Sequence, residues 1–279
     1  MNLAIKALAS VVIGCLTLPI TVQADQWADI QAHHTLSCGV YADVPPFSSP
    51  DPSTRELVGM DVDLCNALAK QLGVNVELHP LSGDGRIPEL KMGRVDVIIA
   101  NLAYTRSRAE QIQFSDPYYI AREMLVVKAP LANNTLDFFK QKRISATKGS
   151  TSEQAIRLAG ATPVTFQDTG SAYLALQQNK VLGLVTNAMT AHMLIDQAGA
   201  SGLSLALVEH PMALEPIGVG LRKGETELLN QVNAALARME QTGTIDNIWN
   251  TWLGPKTPYK MQREDKVQKL SDLTFTPLS

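Results

Sequence analysis

Arg108 stands where an arginine could bind an anion. Residues 95–100 are apolar and predict a buried strand, which a polar turn at Asn101 ends. Arg108 follows one helical turn beyond that polar turn. In α/β proteins ligands bind just beyond the carboxyl ends of parallel strands, and a guanidinium there presents two parallel N–H donors to a carboxylate. The spacing therefore predicts an anion site; the alternative is a solvated helix arginine, which is our interpretation of Arg106.

A second feature that attracts anions is the segment Gly-Ser-Thr-Ser-Glu at residues 149–153. Ser150 and Glu153 have the spacing of a capping box, which predicts a helix that begins at about Thr151. The backbone N–H groups of a helix start also attract anions. Two interpretations stay open: Ser150 only caps its helix, or Ser150 and Thr151 also contact a ligand.

The elements that must position these residues alternate between strand and helix. The first part of the chain predicts strands at residues 36–41, 74–79 and 95–100, and helices at 60–72 and from Pro88. This is a βαβ pattern. A similar alternation restarts at Met124 and continues to residue 208. The sequence therefore predicts two α/β lobes.

The composition is that of an average globular protein of one or two domains. The 279 residues include 24 basic and 27 acidic side chains, and the basic ones are scattered, so we expect no nucleic-acid partner. The five histidines show no metal-ligand spacing, and the motifs HExxH, GxSxG and CxxC are absent. We therefore expect no metal, no cofactor and no catalytic residue, and a protein that is not an enzyme.

Residues 1–24 have the pattern of a cleavable signal peptide. Residues 7–20 are apolar, and a small-x-small triplet ends at Ala24, so the mature chain should begin at Asp25. The alternative is a lipoprotein signal in which Cys15 carries the lipid. A permanent transmembrane helix fits less well, because the apolar run is shorter than the roughly 20 residues that a bilayer requires.

Cleavage would leave two cysteines, Cys38 and Cys65, in the exported chain. They could form a disulfide in an oxidising compartment. One lies in a predicted strand and the other in a predicted helix, and the sequence does not give the distance between them. We expect two buried thiols that pack as small apolar side chains; the disulfide is the alternative.

Several segments resemble, in order and spacing, the extracellular solute-binding proteins that supply polar amino acids to ABC importers. They are residues 38–48 (CGVYADVPPFS), 59–73 (GMDVDLCNALAKQLG), 94–119, 148–156 (KGSTSEQAI) and the closing helices at 225–252. The resemblance covers nearly all of the chain after residue 34. It implies an α/β fold of the two-lobed periplasmic binding protein type II, in which each lobe is a mixed sheet flanked by helices. Two hinge strands would join the lobes.

The resemblance also implies domain boundaries. Lobe 1 would be residues 25–119 and 221–255, lobe 2 residues 124–211, and the hinge residues 120–123 and 212–220. Residues 256–279 are polar and rich in proline, and we interpret them as a loosely attached tail.

In this family the arginine that matches Arg108 binds the α-carboxylate of the ligand. Asn101 and Ala103 match positions that add hydrogen bonds, although many members have Ser or Thr in place of Ala103. Ser150 and Thr151 match the ligand loop of the second lobe. A ligand held from both lobes would keep them closed.

Three further positions bear on the identity of the ligand. Arg86 matches the arginine with which glutamate- and aspartate-binding members hold the side-chain carboxylate; its alternative role is a salt bridge to the helix that it precedes. Asn187 stands where the family usually has an aspartate for the ligand's ammonium, and Tyr41 where some members have an acid. A buried ammonium without a carboxylate is costly. Either the ligand lacks an amino group, or another acid substitutes, for which the sequence offers Asp43, Asp168 and Glu215.

The function implied by the resemblance is that of a monomeric binding protein. It would close over an acidic amino acid or dicarboxylate in the periplasm and deliver it to an ABC permease in the inner membrane. Three alternatives remain: a binder of an organic acid without an amino group, a cleft enzyme of the cyclohexadienyl dehydratase type, and a sensor that signals through the same closure.

Overall fold

The computed structural model describes residues 26–278, so the predicted signal peptide and Cys15 lie outside the described residues. No helix in the described part is both long and apolar enough to cross a membrane. The α-helices are α1 (Gln26–His33), α2 (Met60–Leu72), α3 (Arg86–Lys91), α4 (Arg106–Ala109), α5 (Thr151–Leu158), α6 (Thr169–Gln177), α7 (Ala188–Ala200), α8 (Thr226–Gln241) and α9 (Thr244–Trp252).

The strands form two larger sheets and a short hairpin. They are β1 (Thr35–Tyr41), β2 (Ser49–Pro50), β3 (Leu57–Val58), β4 (Asn75–Leu81), β5 (Val97–Ile98), β6 (Gln113–Phe114), β7 (Tyr119–Lys128), β8 (Arg143–Thr147), β9 (Thr162–Phe166), β10 (Gly183–Asn187), β11 (Leu205–Leu207), β12 (Ala213–Ile217) and β13 (Gly220–Leu221).

The first lobe is built on a five-stranded sheet with the order β4-β1-β5-β13-β6. β1 runs parallel to β4 and β5, whereas β13 is antiparallel to β5 and β6. α2 packs into the same core through Leu64 and Leu68, because apolar residues four apart share one face of a helix. Gly73 ends α2 in the left-handed conformation, at φ 75°. The strand predicted at residues 95–100 covers only Val97–Ile98, and Asn101 follows three residues after its end.

The second lobe is built on a six-stranded sheet. Its main order is β11-β7-β10-β8-β9, and β12 also pairs with β7. β10, β8 and β9 are parallel to one another, and β7 is antiparallel to β10. Helices α5, α6 and α7 flank the sheet. The predicted α/β fold, with two lobes that are each a mixed sheet flanked by helices, is therefore confirmed.

Two antiparallel strands, β7 and β12, pass from one lobe to the other. Tyr119 and Ile217, which pair with each other, belong to the core of the first lobe. Met124 and Val126, further along β7, belong to a core of the second lobe. The predicted hinge falls on this strand pair, and its role as a hinge remains a prediction.

Cys38 and Cys65 form a disulfide, so the expectation of two free thiols is wrong. Cys38 lies in β1 and Cys65 in α2, and both are fully buried. Because α2 packs directly against β1, the two Cα atoms lie 6.2 Å apart, within the range that a disulfide spans. The strand pattern around Cys38 and the helix pattern around Cys65 do not give the distance between the two residues. The sequence therefore could not decide whether a disulfide forms.

Residues 256–278 are attached firmly, so the expectation of a loose tail is also wrong. The Arg263 side chain is only 3% exposed and pairs with Glu240 at 2.6 Å and with Asp246 at 2.8 Å. It also donates to the carbonyl of Tyr118. Leu278 is buried, and its carbonyl accepts from the backbone N–H of Arg106. The polar composition of the tail suggested a loose attachment, but its buried Arg263 forms ion pairs with Glu240 and Asp246 of the first lobe.

Candidate ligand-binding cleft

A cavity of about 590 Å³ lies between the lobes, a volume suited to one small molecule. The first lobe, the second lobe, the crossing strands β7 and β12, and the tail all contribute to its wall. Every predicted site residue lines it, namely Tyr41, Arg86, Asn101, Ala103, Arg108, Ser150, Thr151 and Asn187. The fold therefore brings the eight positions together; their contacts with a ligand remain a prediction.

Arg108 enters the cavity without an acidic partner. The Thr105 side chain caps α4 and accepts from the backbone N–H of Arg108, which fixes the start of this short helix. The Arg108 Nη1 atom donates to the carbonyl of Ala103 at 2.8 Å. Within residues 26–278 no carboxylate forms an ion pair with it. Burial, with the nearby charge of Arg86, lowers its pKa, so an anion at this place would be stabilised.

Arg86 supplies the second guanidinium of the cavity, and this residue is buried, only 7% exposed. Its Nη1 atom donates to the carbonyl of Ala100 at 2.6 Å and its Nε to the carbonyl of Gly83 at 2.9 Å. The guanidinium lies over the ring of Tyr41, 4.5 Å from its centroid. The alternative salt bridge to its own helix is absent from the described ion pairs, since backbone carbonyls and an aromatic ring hold the group instead.

Asn101 and Ala103 continue the chain after β5. Asn101 has a positive φ of 42°, and its side-chain oxygen accepts from the hydroxyl of Tyr119. Ala103 is 3% exposed and forms an isolated bridge with Ile217 on β12. Asn101 and Ala103 therefore fix the turn to both crossing strands, and the Ala103 carbonyl is also the one that Arg108 contacts.

The start of α5 forms the opposite wall. Ser150 accepts from the backbone N–H of Glu153 at 3.2 Å, and Glu153 accepts from the backbone N–H of Gly149 at 2.8 Å. The predicted cap is thus confirmed, although Glu153 reaches the residue before the cap. The Ser150 hydroxyl also donates to the carbonyl of Thr147 at 2.6 Å. Its hydrogen-bonding capacity is largely used within the protein.

Asn187 caps α7, because its side-chain oxygen accepts from the backbone N–H of Thr190 at 2.9 Å. It is also the last residue of β10, where it pairs with Glu123 of β7. Asn187 therefore has a local structural role at the place where the family resemblance leads us to expect a ligand contact.

Two acids, Glu123 and Glu215, are buried in the same wall at 3% and 6% exposure. The Ser152 hydroxyl donates to Glu123. Burial, and then the charge of Glu215, raises the pKa of Glu123 to about 8. Burial also raises the pKa of Glu215, against the opposing effects of the Thr151 hydroxyl and of Arg108. Both carboxyls are therefore costly to ionise without a cation nearby.

Glu215 was one of three acids that the sequence analysis offered as partners for the ligand's ammonium, whereas Glu123 was not predicted to lie near the site. Asp168 caps α6 by accepting from the backbone N–H of Ser171 at 2.8 Å, and neither it nor Asp43 lines the cavity. The available signal for Glu123 was a lone acid in the apolar run of β7. An acid there must either pair or line a cavity.

Asp61, in the first turn of α2, is a further buried acid, and the residue is 1% exposed. Burial raises the pKa of its carboxyl well above the ordinary value, opposed by the backbone N–H of Asn101 and the charge of Arg86. Asp61 is therefore a buried carboxyl close enough to Arg86 to feel its charge.

The described residues contain no group of three or more His, Cys, Asp or Glu side chains that could hold a metal ion. The chemistry of the cleft thus comes from guanidinium groups, carboxyl groups and backbone N–H groups. Such a set can bind a small charged solute.

Residues 36–255 match the model of the bacterial extracellular solute-binding proteins, family 3. The chain belongs to this family. Among its relatives is the ABC transporter glutamine-binding protein GlnH of Bacillus subtilis, 28% identical over 235 residues that cover 82% of this chain and 85% of GlnH. The lysine/arginine/ornithine-binding periplasmic protein of Escherichia coli is 30% identical over 223 residues, or 77% of this chain and 85% of that protein.

Solved structures of similar proteins have the same fold. The ancestral amino acid-binding protein AncCDT-1, described as a precursor of cyclohexadienyl dehydratase, is 32% identical with a TM-score of 0.66, covering 83% of this chain and 100% of its own. An ancestral arginine-binding protein bound to arginine is 38% identical with a TM-score of 0.64, covering 79% of this chain and 99% of its own. Relatives of this family 3 protein thus bind amino acids.

The tail adds a part of the cleft wall that lies beyond the family match. Residues 261–265 line the cavity. Arg122 on β7 pairs with Glu264 at 2.9 Å and with Asp265 at 3.0 Å. The sequence motifs of the family end before this segment, so they gave no indication of its position.

Proposed function

We propose that this protein is the solute-binding component of an ABC importer. It works as a monomer in the periplasm, captures a polar amino acid between its lobes and delivers it to a permease in the inner membrane. Closure shifts an existing equilibrium between open and closed forms by the difference in ligand affinity between them. Residues 120–123 and 212–220 serve as the hinge.

The observation that carries this proposal is Arg108, a half-buried guanidinium in the cavity with no ion-pair partner among the described residues. A carboxylate of the ligand supplies the missing charge, with the turn at Asn101 and Ala103 on the same side. The start of α5, with Ser150 and Thr151, contributes from the second lobe. The ligand thereby joins the two walls.

The ligand in this proposal is acidic. Arg86 provides a second cation in the same cavity, next to Tyr41, and its remaining N–H donors are available to a side-chain carboxylate. The relatives described above bear names for glutamine and for lysine, arginine and ornithine. A preference for glutamate or aspartate would differ from the ligands in those names, and Arg86 is the residue that supports it.

A thermal-shift screen tests the proposal directly. L-glutamate, L-aspartate, L-glutamine, L-arginine and L-cystine are compared with organic acids, and hits are measured by calorimetry. A ligand present at a hundred times its dissociation constant should add about 2.7 kcal/mol of stability. Binding of neutral or basic amino acids alone contradicts the acidic preference, and the absence of any amino acid ligand contradicts the transport role.

A second candidate function is a cleft enzyme of the cyclohexadienyl dehydratase type. The observation that favours it is Glu123, a carboxyl that burial keeps protonated near neutral pH and that lines a cavity with two arginines. Protonation of the ring hydroxyl of a cyclohexadienyl acid, with cleavage of the bond to its ring carboxylate, would release water and carbon dioxide and give an aromatic product with a near-ultraviolet absorbance. Saturable binding without such a product supports the carrier, and turnover that Glu123→Gln abolishes supports the enzyme.

A further inference from the structure

The register of three neighbouring strands places Glu215, Glu123 and Asn187 on one face of the sheet. Glu123 pairs with Asn187 on β10, and Ala121 pairs with Glu215 on β12. Residues directly opposite each other, and residues two apart on one strand, point to the same face. All three polar side chains therefore belong to the same wall of the cavity.

Glu215 has an unused acceptor on this wall. Its Oε1 atom is buried and has no hydrogen-bond partner among the described residues, and the residue is 6% exposed. A buried acceptor left in this state costs free energy. Ser152 donates to Glu123 and the Thr190 N–H donates to the oxygen of Asn187, whereas the Oε1 atom of Glu215 still lacks a donor.

The positions of the charged side chains in the cavity indicate which group donates to Glu215. Arg86 and Arg108 lie on the first lobe, and neither forms an ion pair with Glu215 or with another described acid. A cavity in which two cations and a buried acid form no ion pair with each other is suited to a ligand with both charges. In an α-amino acid the carboxylate and the ammonium are attached to the same carbon, so one molecule satisfies both.

We propose that Glu215 determines specificity by binding the ammonium of the ligand, so that the protein selects amino acids over the same acids without an amino group. This rests on the proposed function and deepens it. Asn187 is neutral and caps α7, so it supplies no negative charge for an ammonium. Glu215 supplies this charge instead, from the crossing strand β12 that pairs with β7. The raised pKa of Glu215 agrees with a carboxylate that awaits a cation.

The test compares amino acids with their deaminated forms in calorimetry. The pairs are L-glutamate with glutarate, L-glutamine with 4-carbamoylbutanoate, and L-arginine with 5-guanidinopentanoate. For the pair whose amino acid binds the unmodified protein, Glu215→Gln should weaken that amino acid about 100-fold, the cost of removing one partner of a desolvated charge pair. The deaminated acid should bind the variant as it binds the unmodified protein.

A rescue variant and a control sharpen the comparison. Glu215→Gln combined with Asn187→Asp should restore much of the preference for the amino acid, because residue 187 lies on the same face. Glu209→Gln removes one exposed negative charge outside the cavity and should leave both affinities unchanged. The thermal unfolding temperature of Glu215→Gln should match or exceed that of the unmodified protein, since a buried carboxyl that is costly to ionise is replaced by a neutral amide.

The outcomes separate the two levels of the argument. Should Glu215→Gln keep the full preference for the amino acid, or weaken both members of a pair equally, the role of Glu215 is overturned while the proposed function stands. Failure of every amino acid to bind the unmodified protein overturns the proposed function and this assignment with it.

Discussion

The two walls of the cleft offer opposite kinds of chemistry. The first lobe presents two arginine side chains, Arg86 and Arg108, each held by backbone carbonyls. The second lobe presents the start of α5, whose Ser150 hydroxyl is already used as a cap. The two guanidinium groups carry full charges, whereas the start of α5 offers only partial charges, so these two elements should contribute unequally to binding. We therefore expect the first lobe to hold the ligand and the second to close over it.

The largest expected effect is on the arginine wall. Arg108→Ala should weaken binding of the ligand found in the screen by about 3 kcal/mol, because it removes one side of a desolvated charge pair. Isothermal calorimetry measures the change. Arg106→Ala is the matched control, since Arg106 is exposed on the same helix and does not line the cavity. Equal losses in the two variants would contradict the inequality of the walls.

The disulfide of the first lobe should give the next largest effect. Replacing Cys38 and Cys65 together by Ser should lower the free energy of unfolding by about 3 kcal/mol, as expected for a cross-link that closes a loop of this length. Urea unfolding followed by tryptophan fluorescence measures it. Dithiothreitol should shift the unmodified protein toward the variant and leave the variant unchanged; an unmodified protein insensitive to reduction would show that the cross-link contributes little.

Glu123, on the crossing strand β7, should make the stability of the folded protein depend on pH. The pKa of Glu123 is raised above its ordinary value by burial and by Glu215. The folded state therefore favours the protonated carboxyl, and stability present below about pH 4.5 is lost as the pH rises toward 8. Urea midpoints of the unliganded protein at these two values test this. Glu123→Gln should show a smaller loss over the same window, and an identical loss would assign the dependence elsewhere.

The smallest effect is expected at the second wall. Ser150→Ala removes the cap of α5 and should cost about 1 kcal/mol of stability. Its effect on ligand affinity should be smaller than that of Arg108→Ala, because the hydroxyl donates within the protein. Ser150→Asp, which keeps a capping oxygen, separates the two roles: it should restore stability. A loss of affinity in Ser150→Ala as large as that in Arg108→Ala would make the walls equal.

Local signals in the sequence were enough for the elements. The helix over Met60–Leu72 has the predicted bounds because apolar spacing defines its face and Gly73 ends it. Strands Arg143–Thr147 and Thr162–Phe166 lie within the alternation of strands and helices predicted from Met124 to residue 208. The family resemblance then placed eight residues that the fold gathers around one cavity.

What the sequence could not supply were distances between remote residues. The pairing of Cys38 with Cys65 depends on how α2 packs against β1. Arg122 and Asp265 are 143 residues apart in the chain, and nothing in either local segment indicates their ion pair. Glu123 was missed for the same reason, since which face of β7 lines the cavity is decided by the neighbouring strands.

The attachment of the last residues has a practical consequence for anyone who studies closure. Met261 packs against the hydrophobic cores of both lobes, and Leu278 is 5% exposed beside the start of α4. Because the Leu278 carbonyl accepts from the backbone N–H of Arg106, a bulky label attached at Leu278 would disturb the start of the helix that carries Arg108. Labels intended to follow opening belong at exposed positions such as Leu174 on α6 and Met92 after α3, where attachment leaves the cleft untouched.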